Sequence, residues 1–229
     1  MKLKDTANPV VLGVFLAVIG VIAALILAWT DNVTRTPILV NQQKKVLSAL
    51  QSVLPQFANR ADENTITVKA ADGGEVKYFG AKDAAGKLVG IAAESVSRHG
   101  YGGKIAVIVG FNPDARIRTV VVTDQKETPG LGTVVCGRKK SVTIFDLFGD
   151  SGNTDPNALP PNPILDQFDG HGAVPGDAWT SPWRVKKDGG QVDYMTGATI
   201  SSRAVTAAVN RAAVTLVREK SKILSALGK

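Results

Sequence analysis

The segment with the most chemical potential runs from Asp193 to Thr199 and reads Asp-Tyr-Met-Thr-Gly-Ala-Thr. It lies directly before a segment that predicts a helix, and the free N–H groups and positive dipole end of a helix attract phosphate. The hydroxyl group of Thr196 or Thr199 could hydrogen-bond such a phosphate or be esterified by it, and Asp193 could orient or help to deprotonate a hydroxyl. Turns and helix caps are the more common use of threonine here. The segment is neither a Walker loop, since no Gly-Lys-Ser or Gly-Lys-Thr follows, nor a Rossmann fingerprint.

Two further glycine-rich segments, 99–104 and 127–132, accompany the one at 188–199. Glycine lets the backbone approach a ligand closely and adopt a positive φ angle, and Pro129-Gly130 suits the centre of a type II turn. Each segment alone is more often a plain turn than a binding site. Three of them in one small domain raise the odds of a shared ligand modestly.

The remaining residue types restrict the cofactors that the chain could hold. It has one cysteine, Cys136, and two histidines, and no Cys-x-x-Cys pair. A disulfide within the chain is impossible, and structural zinc, a self-contained iron–sulfur cluster and c-type haem attachment are disfavoured, so we predict no metal ligands. Any redox chemistry must therefore come from an organic cofactor. We interpret Cys136 as a small strand residue and His99 as a surface loop residue.

Charge and aromatic content argue against a nucleic-acid partner. The formal charge is +7, but Lys and Arg are spread along the chain without a block of five or six. Aromatic residues make up 6% of the chain, so stacking platforms for bases are scarce. We interpret the positive charge as solvated surface charge.

An uncharged apolar segment runs from Val10 to Trp29 and, as a helix, would be about 30 Å long, the thickness of the hydrocarbon core of a bilayer. A cleaved signal peptide would be shorter, and Ile26 occupies a position where a cleavage site needs a small residue. A buried core helix would be apolar on one stripe instead of all round. We therefore predict an uncleaved anchor. Lys2 and Lys4 favour a cytoplasmic N-terminus, which puts the rest of the chain outside the cytoplasm.

Five runs rich in valine and isoleucine lie between Thr65 and Thr123. Turn-forming residues separate them at 71–74, 83–86 and 112–114. Because the gaps are short, we predict hairpins and an antiparallel sheet.

Helical segments flank these strands on both sides. Residues 36–54 carry an apolar stripe, and Pro55 ends the segment. The second helix is predicted to begin near Ser201 or Ser202, either of which could cap it, and to run through Arg218. Its apolar stripe consists of Val205, Ala208, Val209, Ala212, Ala213 and Leu216.

The pattern Asp-x-x-Thr-Gly-Ala-Thr at 193–199 resembles the covalent flavinylation motif of the FMN-binding domain family. In that family the last Thr or Ser forms a phosphoester with FMN, which a separate flavin transferase delivers from FAD. The resemblance implies that Thr199 carries covalent FMN. It places Thr196, Gly197 and Ala198 around the attachment residue, and Asp193 takes the position of the acidic residue that begins the motif.

The resemblance extends to the G subunit of the Rnf electron-transport complex through four further segments: Trp183–Gly190, Ile200–Val205, Glu127–Gly132 and Gly100–Gly103. It covers most of residues 1–148 and 179–218, and the stretch 149–178 does not match the family pattern. The C subunit of the sodium-translocating NADH:quinone oxidoreductase shares the attachment motif and the Glu127–Gly132 loop. The Trp-x-Val-Lys-Lys-Asp-Gly-Gly run favours Rnf.

The resemblance implies a membrane-anchored electron-transfer subunit that acts as a redox relay of an ion-translocating oxidoreductase and has no complete activity alone. Rnf complexes couple electron flow between ferredoxin and NAD to Na⁺ or H⁺ movement. The implied partners are the other membrane subunits and a flavin transferase. The implied location is the bacterial inner (cytoplasmic) membrane, crossed once, with the FMN domain on the periplasmic side. Two alternatives stay open: the equivalent subunit of the NADH:quinone oxidoreductase, and a flavin-free anchored adaptor.

We further predict which residues line the flavin ring, with no catalytic residue among them. The set consists of Tyr101, Glu127, Thr128, Gly130, Leu131 and Gly132. Backbone N–H groups of these loops could stabilise a reduced, partly anionic flavin. Lys104 and Lys126 are candidate positive neighbours of the ring, with solvated surface lysine as the alternative. For His99, proton delivery to the flavin is the alternative to a surface loop residue.

The predicted fold class is α+β, a single N-terminal transmembrane helix followed by one FMN-binding domain with an antiparallel sheet and flanking helices. The predicted divisions are a cytoplasmic tail at 1–9, a transmembrane helix at 10–29, a connector helix at 30–55, the FMN-binding domain at 56–218 and a C-terminal tail at 219–229. Within the domain, 149–182 is rich in Gly, Pro, Asn and Asp and is predicted as an irregular surface loop or insertion.

Overall fold

A computed structural model of the chain describes residues 9–138 and 159–228. The chain divides into two compact units, residues 1–45 and 46–229. The predictions for segment 139–158, which includes the start of the predicted loop at 149–182, and for the cytoplasmic tail at 1–8 lie outside the described residues.

Helix α1 runs from Pro9 to Val53 without a break and includes Pro37. The predicted span and the helical segment at 36–54 are thus one continuous helix. Within residues 9–138 and 159–228, α1 is the one helix long and apolar enough to cross a membrane, and the side chains of its most apolar stretch are not buried against protein. Its buried residues, Ala49, Leu50 and Val53, belong to the second unit.

The second unit is built on a five-stranded sheet in which each strand pairs antiparallel with the next along the chain. The strands are β1 (Thr65–Lys69), β2 (Glu75–Lys82), β3 (Leu88–Gly100), β4 (Gly103–Phe111) and β5 (Ile117–Asp124). The prediction of an antiparallel sheet of hairpins is confirmed. Gly100 pairs with Gly103 at the end of β3, so Tyr101 and Gly102 form a two-residue hairpin turn.

Both faces of the sheet are covered, because successive side chains of a strand point to opposite faces. On β4, Val107 and Val109 belong to the core that faces the C-terminal helices, and Ile108 between them belongs to the core that faces the end of α1. Tyr78 and Phe79 on β2 divide in the same way. The sheet is therefore a middle layer with helices on each side.

The C-terminal helix α4 covers one face of the sheet and runs from Thr199 to Arg218. All six residues of its predicted apolar stripe are buried, and the Tyr78 hydroxyl donates a hydrogen bond of 2.8 Å to the Ala212 carbonyl. The prediction of a serine cap is wrong, because α4 begins at Thr199 with Ala198 as N-cap and no side-chain cap. Ser202 lies in the first turn, where its hydroxyl donates to the Ala198 carbonyl.

Three short helices complete this layer: α2 (Gly132–Cys136), α3 (Pro163–Asp166) and α5 (Lys220–Leu227). Cys136 ends α2, so the prediction that it is a strand residue is wrong. The β-branched run before it favours a strand locally, but Val135 is buried in the core from a helical turn. Burial raises the pKa of the Cys136 thiol to about 12. Within the segment 219–229, predicted as a tail, Lys220–Leu227 form α5, and Ile223 and Leu227 are buried in the core.

The described part of the predicted loop, 159–182, contributes buried residues to the domain, although much of it is exposed. Leu165 and Phe168 are fully buried in the core. The Asn162 side chain caps α3 by accepting from the N–H groups of Ile164 and Leu165. It also donates to the Gly137 carbonyl, at 2.8 Å, which ties α3 to the end of α2.

A buried carboxylate holds the rest of this segment. The Asp177 side chain is 1% exposed and contacts Arg116 at 3.0 Å and the Nδ1 atom of His171 at 2.9 Å. It also accepts from the N–H groups of Gly172 and Trp179. Burial by itself would raise the pKa of Asp177, but these hydrogen bonds and the nearby imidazole hold it below its usual value.

Candidate functional site

The three glycine-rich segments meet at one cavity, at the end of the sheet where β3 turns into β4. The cavity has a volume of about 500 Å³, within the range of small-molecule sites. We call it the site cavity. It is lined by Tyr101, Glu127, Thr128, Leu131, Gly132, Lys187, Gly197, Ala198, Thr199, Ile200, Ser201 and Arg203.

Thr199 lies in the site cavity as the first residue of α4. The first N–H groups of a helix have no partner within it, and no side chain caps this helix. Ile200 and Ser201 of the same turn also line the cavity. The uncapped N-terminus, with its positive dipole end, therefore provides an environment for an anion around the Thr199 hydroxyl. Gly197 precedes it with a φ angle of +86° that L side chains rarely adopt.

Most of the predicted site residues lie in the cavity, and three do not. Gly130 is outside it, with a φ angle of +78° and an N–H group that donates to the Thr133 hydroxyl at 2.9 Å. Thr196 is exposed and does not line it. Asp193 is also absent from the lining, and its carboxylate lies 2.7 Å from the Lys186 ammonium group, with both side chains more than half exposed.

The positive charges in the cavity are not those that we predicted. Lys104 pairs with Asp124 at 2.9 Å, and neither Lys104 nor Lys126 lines the site cavity. Lys187 and Arg203 line it instead, and sequence reasoning missed both as site residues. The signal was present, because both lie in segments that carry the resemblance to the Rnf family.

The two cations differ in how far they are neutralised. Arg203 binds both carboxylate oxygens of Asp188, at 2.5 and 2.6 Å. This hydrogen-bonded pair lowers the pKa of Asp188. Lys187 takes part in none of the ion pairs found among the described residues. Lys187 is therefore the cation of the cavity lining whose charge is available to a bound anion.

Exposed apolar side chains provide a second kind of surface in the site cavity. Tyr101 is 71% exposed, Ile200 45% and Leu131 41%. Large apolar side chains with this exposure gain free energy when a flat ring system covers them, at about 25 cal/mol for each Å² removed from water. The cavity thus combines anion-binding groups with apolar surface, which matches a molecule that has a phosphate at one end and an aromatic ring system at the other.

His99 lines a different cavity, of about 660 Å³. Its other charged neighbours there are Asp72, Glu75, Arg98, Lys104 and Arg211. Proton delivery from His99 into the site cavity therefore has no support from its position.

Comparison with known proteins gives one family and a set of relatives. Residues 100–214 match the family described as FMN-binding domain. The G subunit of the ion-translocating oxidoreductase complex of Cereibacter sphaeroides is 30% identical, over 96% of this chain and 90% of its own length. The G subunit of the same complex from Aliivibrio fischeri is 34% identical, over 86% and 85% of the two chains. The crystal structure of NqrC from Shewanella oneidensis is 22% identical, with a TM-score of 0.39, over 67% of this chain and 64% of that one.

Proposed function

Because the chain belongs to the FMN-binding domain family, together with the G subunits of the Rnf ion-translocating oxidoreductase complexes, we propose that it is the flavin-carrying electron-transfer subunit of such a complex. We propose that FMN is bonded through its phosphate to the hydroxyl oxygen of Thr199. The observation that carries this proposal is the position of Thr199 at the uncapped N-terminus of α4, inside the site cavity.

The proposed attachment is a phosphoryl transfer. The Thr199 hydroxyl oxygen bonds to the phosphorus of the FMN half of FAD, the bond from that phosphorus to the AMP half breaks, and the hydroxyl proton is released. AMP leaves, and the chain keeps FMN as a phosphodiester with one negative charge. The free N–H groups at the start of α4 and the Lys187 ammonium group would hold that charge.

The ring would lie against the apolar part of the cavity, formed by Tyr101, Leu131 and Ile200. Bound FMN supplies one- and two-electron redox chemistry, and the protein sets its potential by hydrogen bonds, burial and charge. Since the phosphoester leaves the ring unmodified, the groups around the cavity would set that potential. Covalent attachment would also keep the cofactor in place at any external flavin concentration.

The proposed location is the bacterial cytoplasmic membrane, crossed once by residues 10–29, with residues 56–218 as the FMN-binding domain on the periplasmic side. The other subunits of the complex are the proposed electron donor and acceptor, and a flavin transferase is the proposed maturation partner. The division into a connector at 30–55 and the choice between Na⁺ and H⁺ as the coupling ion belong to this proposal.

The test is to express the full chain with an exported flavin transferase, to denature it, and to measure intact mass and flavin fluorescence. We expect a mass gain equal to FMN minus water in the wild-type chain and no gain in Thr199→Ala. Thr67→Ala is the matched control, because Thr67 is an exposed threonine of β1 outside both the motif and the site cavity. An unmodified wild-type mass, with the transferase active on a control substrate, would refute the attachment and favour the adaptor alternative.

A further inference from the structure

We propose that Glu127 is a positioning residue that holds the two sides of the site cavity together before a flavin is attached. This inference rests on the proposed function for the cavity, but its first measurement requires no flavin. The two sides are the hairpin turn at Tyr101–Gly102 and the first turn of α4, which begins at Thr199.

The Glu127 carboxylate connects these two sides directly. Glu127 as a whole residue is 5% exposed. One oxygen, Oε1, accepts a hydrogen bond of 3.0 Å from the Gly102 N–H group. The other, Oε2, accepts a hydrogen bond of 2.5 Å from the Ser201 hydroxyl. Both oxygens therefore have a protein donor, one on each side of the cavity.

Two of the neighbouring glycines, Gly100 and Gly132, leave space that this carboxylate occupies. A Cβ atom added to Gly100 would lie 2.6 Å from Glu127 Oε1, and one added to Gly132 would lie 2.6 Å from Oε2 and from the Ser201 hydroxyl oxygen. A Cβ atom at Gly102 would clash with the backbone carbonyl of Lys126. The glycines of two of the three segments thus allow the backbone to close around Glu127.

Among the described residues, none of the ion pairs includes Glu127, so no cation there neutralises it. A buried carboxylate without a cation needs hydrogen-bond donors, and Gly102 and Ser201 supply them. The N-terminal turn of α4 adds the positive end of its dipole. The arrangement keeps the carboxylate occupied within the protein, which points to a positioning role instead of a contact with substrate.

The choice of substitution separates positioning from charge. In Glu127→Gln the amide oxygen can still accept from Gly102, and the amide NH₂ can donate to the Ser201 oxygen, which is also an acceptor. Both connections survive while the charge is lost. Glu127→Ala removes both connections. Glu63→Ala serves as the matched control, since Glu63 carries an exposed carboxylate paired with Arg60.

The experiment measures two quantities in each full-length variant: the amide hydrogen exchange of Gly102 before flavin attachment, and the rate of flavin incorporation with a purified transferase. In Glu127→Ala we expect the amide exchange of Gly102 to accelerate. We also expect flavin incorporation to slow by about tenfold or more, because a misplacement of about 1 Å costs up to about 100-fold in rate. For Glu127→Gln and Glu63→Ala, both the exchange rate and the incorporation rate should stay within about threefold of wild type, a much smaller change than such a misplacement causes.

Two results would overturn the proposal: a folded Glu127→Ala chain with wild-type exchange and incorporation, or a Glu127→Gln chain as impaired as Glu127→Ala, which would assign the effect to charge. If Glu127→Ala does not fold, Ser201→Ala removes one connection only. Slower incorporation would then support positioning, and an unchanged rate would refute it. Failure of the proposed function is distinguishable, because the wild-type chain would then take up no flavin while the exchange of Gly102 still reports on the connection.

Discussion

Two glycines of the same loop, Gly130 and Gly132, should respond to the same substitution for different reasons and to different degrees. Gly130 has a φ angle of +78° and open space where a Cβ atom would lie. Gly132 begins α2, and a Cβ atom there would meet the Cβ and Oε2 atoms of Glu127 and the Ser201 hydroxyl oxygen, each at 2.6 Å. The pair Gly130→Ala and Gly132→Ala therefore tests backbone strain against the packing of the site cavity.

The expected magnitudes follow from these contacts. A left-handed backbone costs a non-glycine residue about 1–2 kcal/mol, so Gly130→Ala should lower the free energy of unfolding by that amount and leave the cavity intact. At Gly132, 2.6 Å is 0.8 Å inside the shortest ordinary contact of 3.4 Å. Overpacking costs about 1–3 kcal/mol, and the loss of the Ser201–Glu127 hydrogen bond adds about 1 kcal/mol. A displacement approaching 1 Å at the start of α4 should slow flavin attachment by about 10- to 100-fold.

The assay combines thermal unfolding of each variant with the rate of flavin incorporation measured by intact mass. We expect Gly130→Ala to melt a few degrees lower and to incorporate flavin at nearly the wild-type rate. Gly132→Ala should melt lower still and incorporate flavin far more slowly. Wild-type incorporation by a folded Gly132→Ala chain, or a larger attachment defect in Gly130→Ala, would refute the reasoning.

Three further predictions concern single side chains. Lys187→Ala should slow flavin attachment about tenfold, because a hydrogen bond to a charged group contributes about 1.5 kcal/mol or more. Lys186→Ala, which removes a cation paired with Asp193 outside the cavity, should change the rate little, and equal effects of the two variants would contradict the role of Lys187. Tyr78→Phe should lower the free energy of unfolding by about 1 kcal/mol in denaturant melts, since it removes a buried hydrogen bond to the Ala212 carbonyl, and flavin content should not change. Asp177 has a folded pKa below its usual 3.8, so its contribution to stability is full above that pH and is lost as the pH falls through the folded pKa. The difference in melting temperature between wild type and Asp177→Asn should therefore be largest near neutral pH and should shrink as the pH falls below about 4. A difference that stays constant with pH would contradict this account.

The sheet and the helix that covers it were predictable because their signals are local. Hairpins join strands that are neighbours along the chain, and turn-forming residues such as Asp83 and Gly86 mark where each strand ends. The apolar stripe of α4 has the period of a helix, so its buried face could be read before any contact was known. The start of α4 could not be predicted from the sequence, because Ser201 and Ser202 are typical capping residues. In the structure the Ser201 hydroxyl donates to Glu127 and the Ser202 hydroxyl donates to the Ala198 carbonyl.

The site was predictable only where one segment carries its own signal. The motif that ends at Thr199 is contiguous, but the neighbours of Thr199 come from segments about 70 and 100 residues earlier along the chain. No local pattern distinguishes Lys187, which lines the cavity, from Lys186, which pairs with Asp193 outside it. The glycines were expected to admit a ligand, whereas the structure shows that two of them, Gly100 and Gly132, make room for the Glu127 side chain.

The burial of the chain's one cysteine makes the protein a ready background for site-directed labelling. Cys136 is buried and its thiol pKa is about 12, so almost none of it is the reactive thiolate at neutral pH. A cysteine introduced on the exposed face of the domain would react with a maleimide or nitroxide reagent while Cys136 stayed unmodified. Distances from such a label to the site cavity could then be measured in the full chain without first removing a native residue.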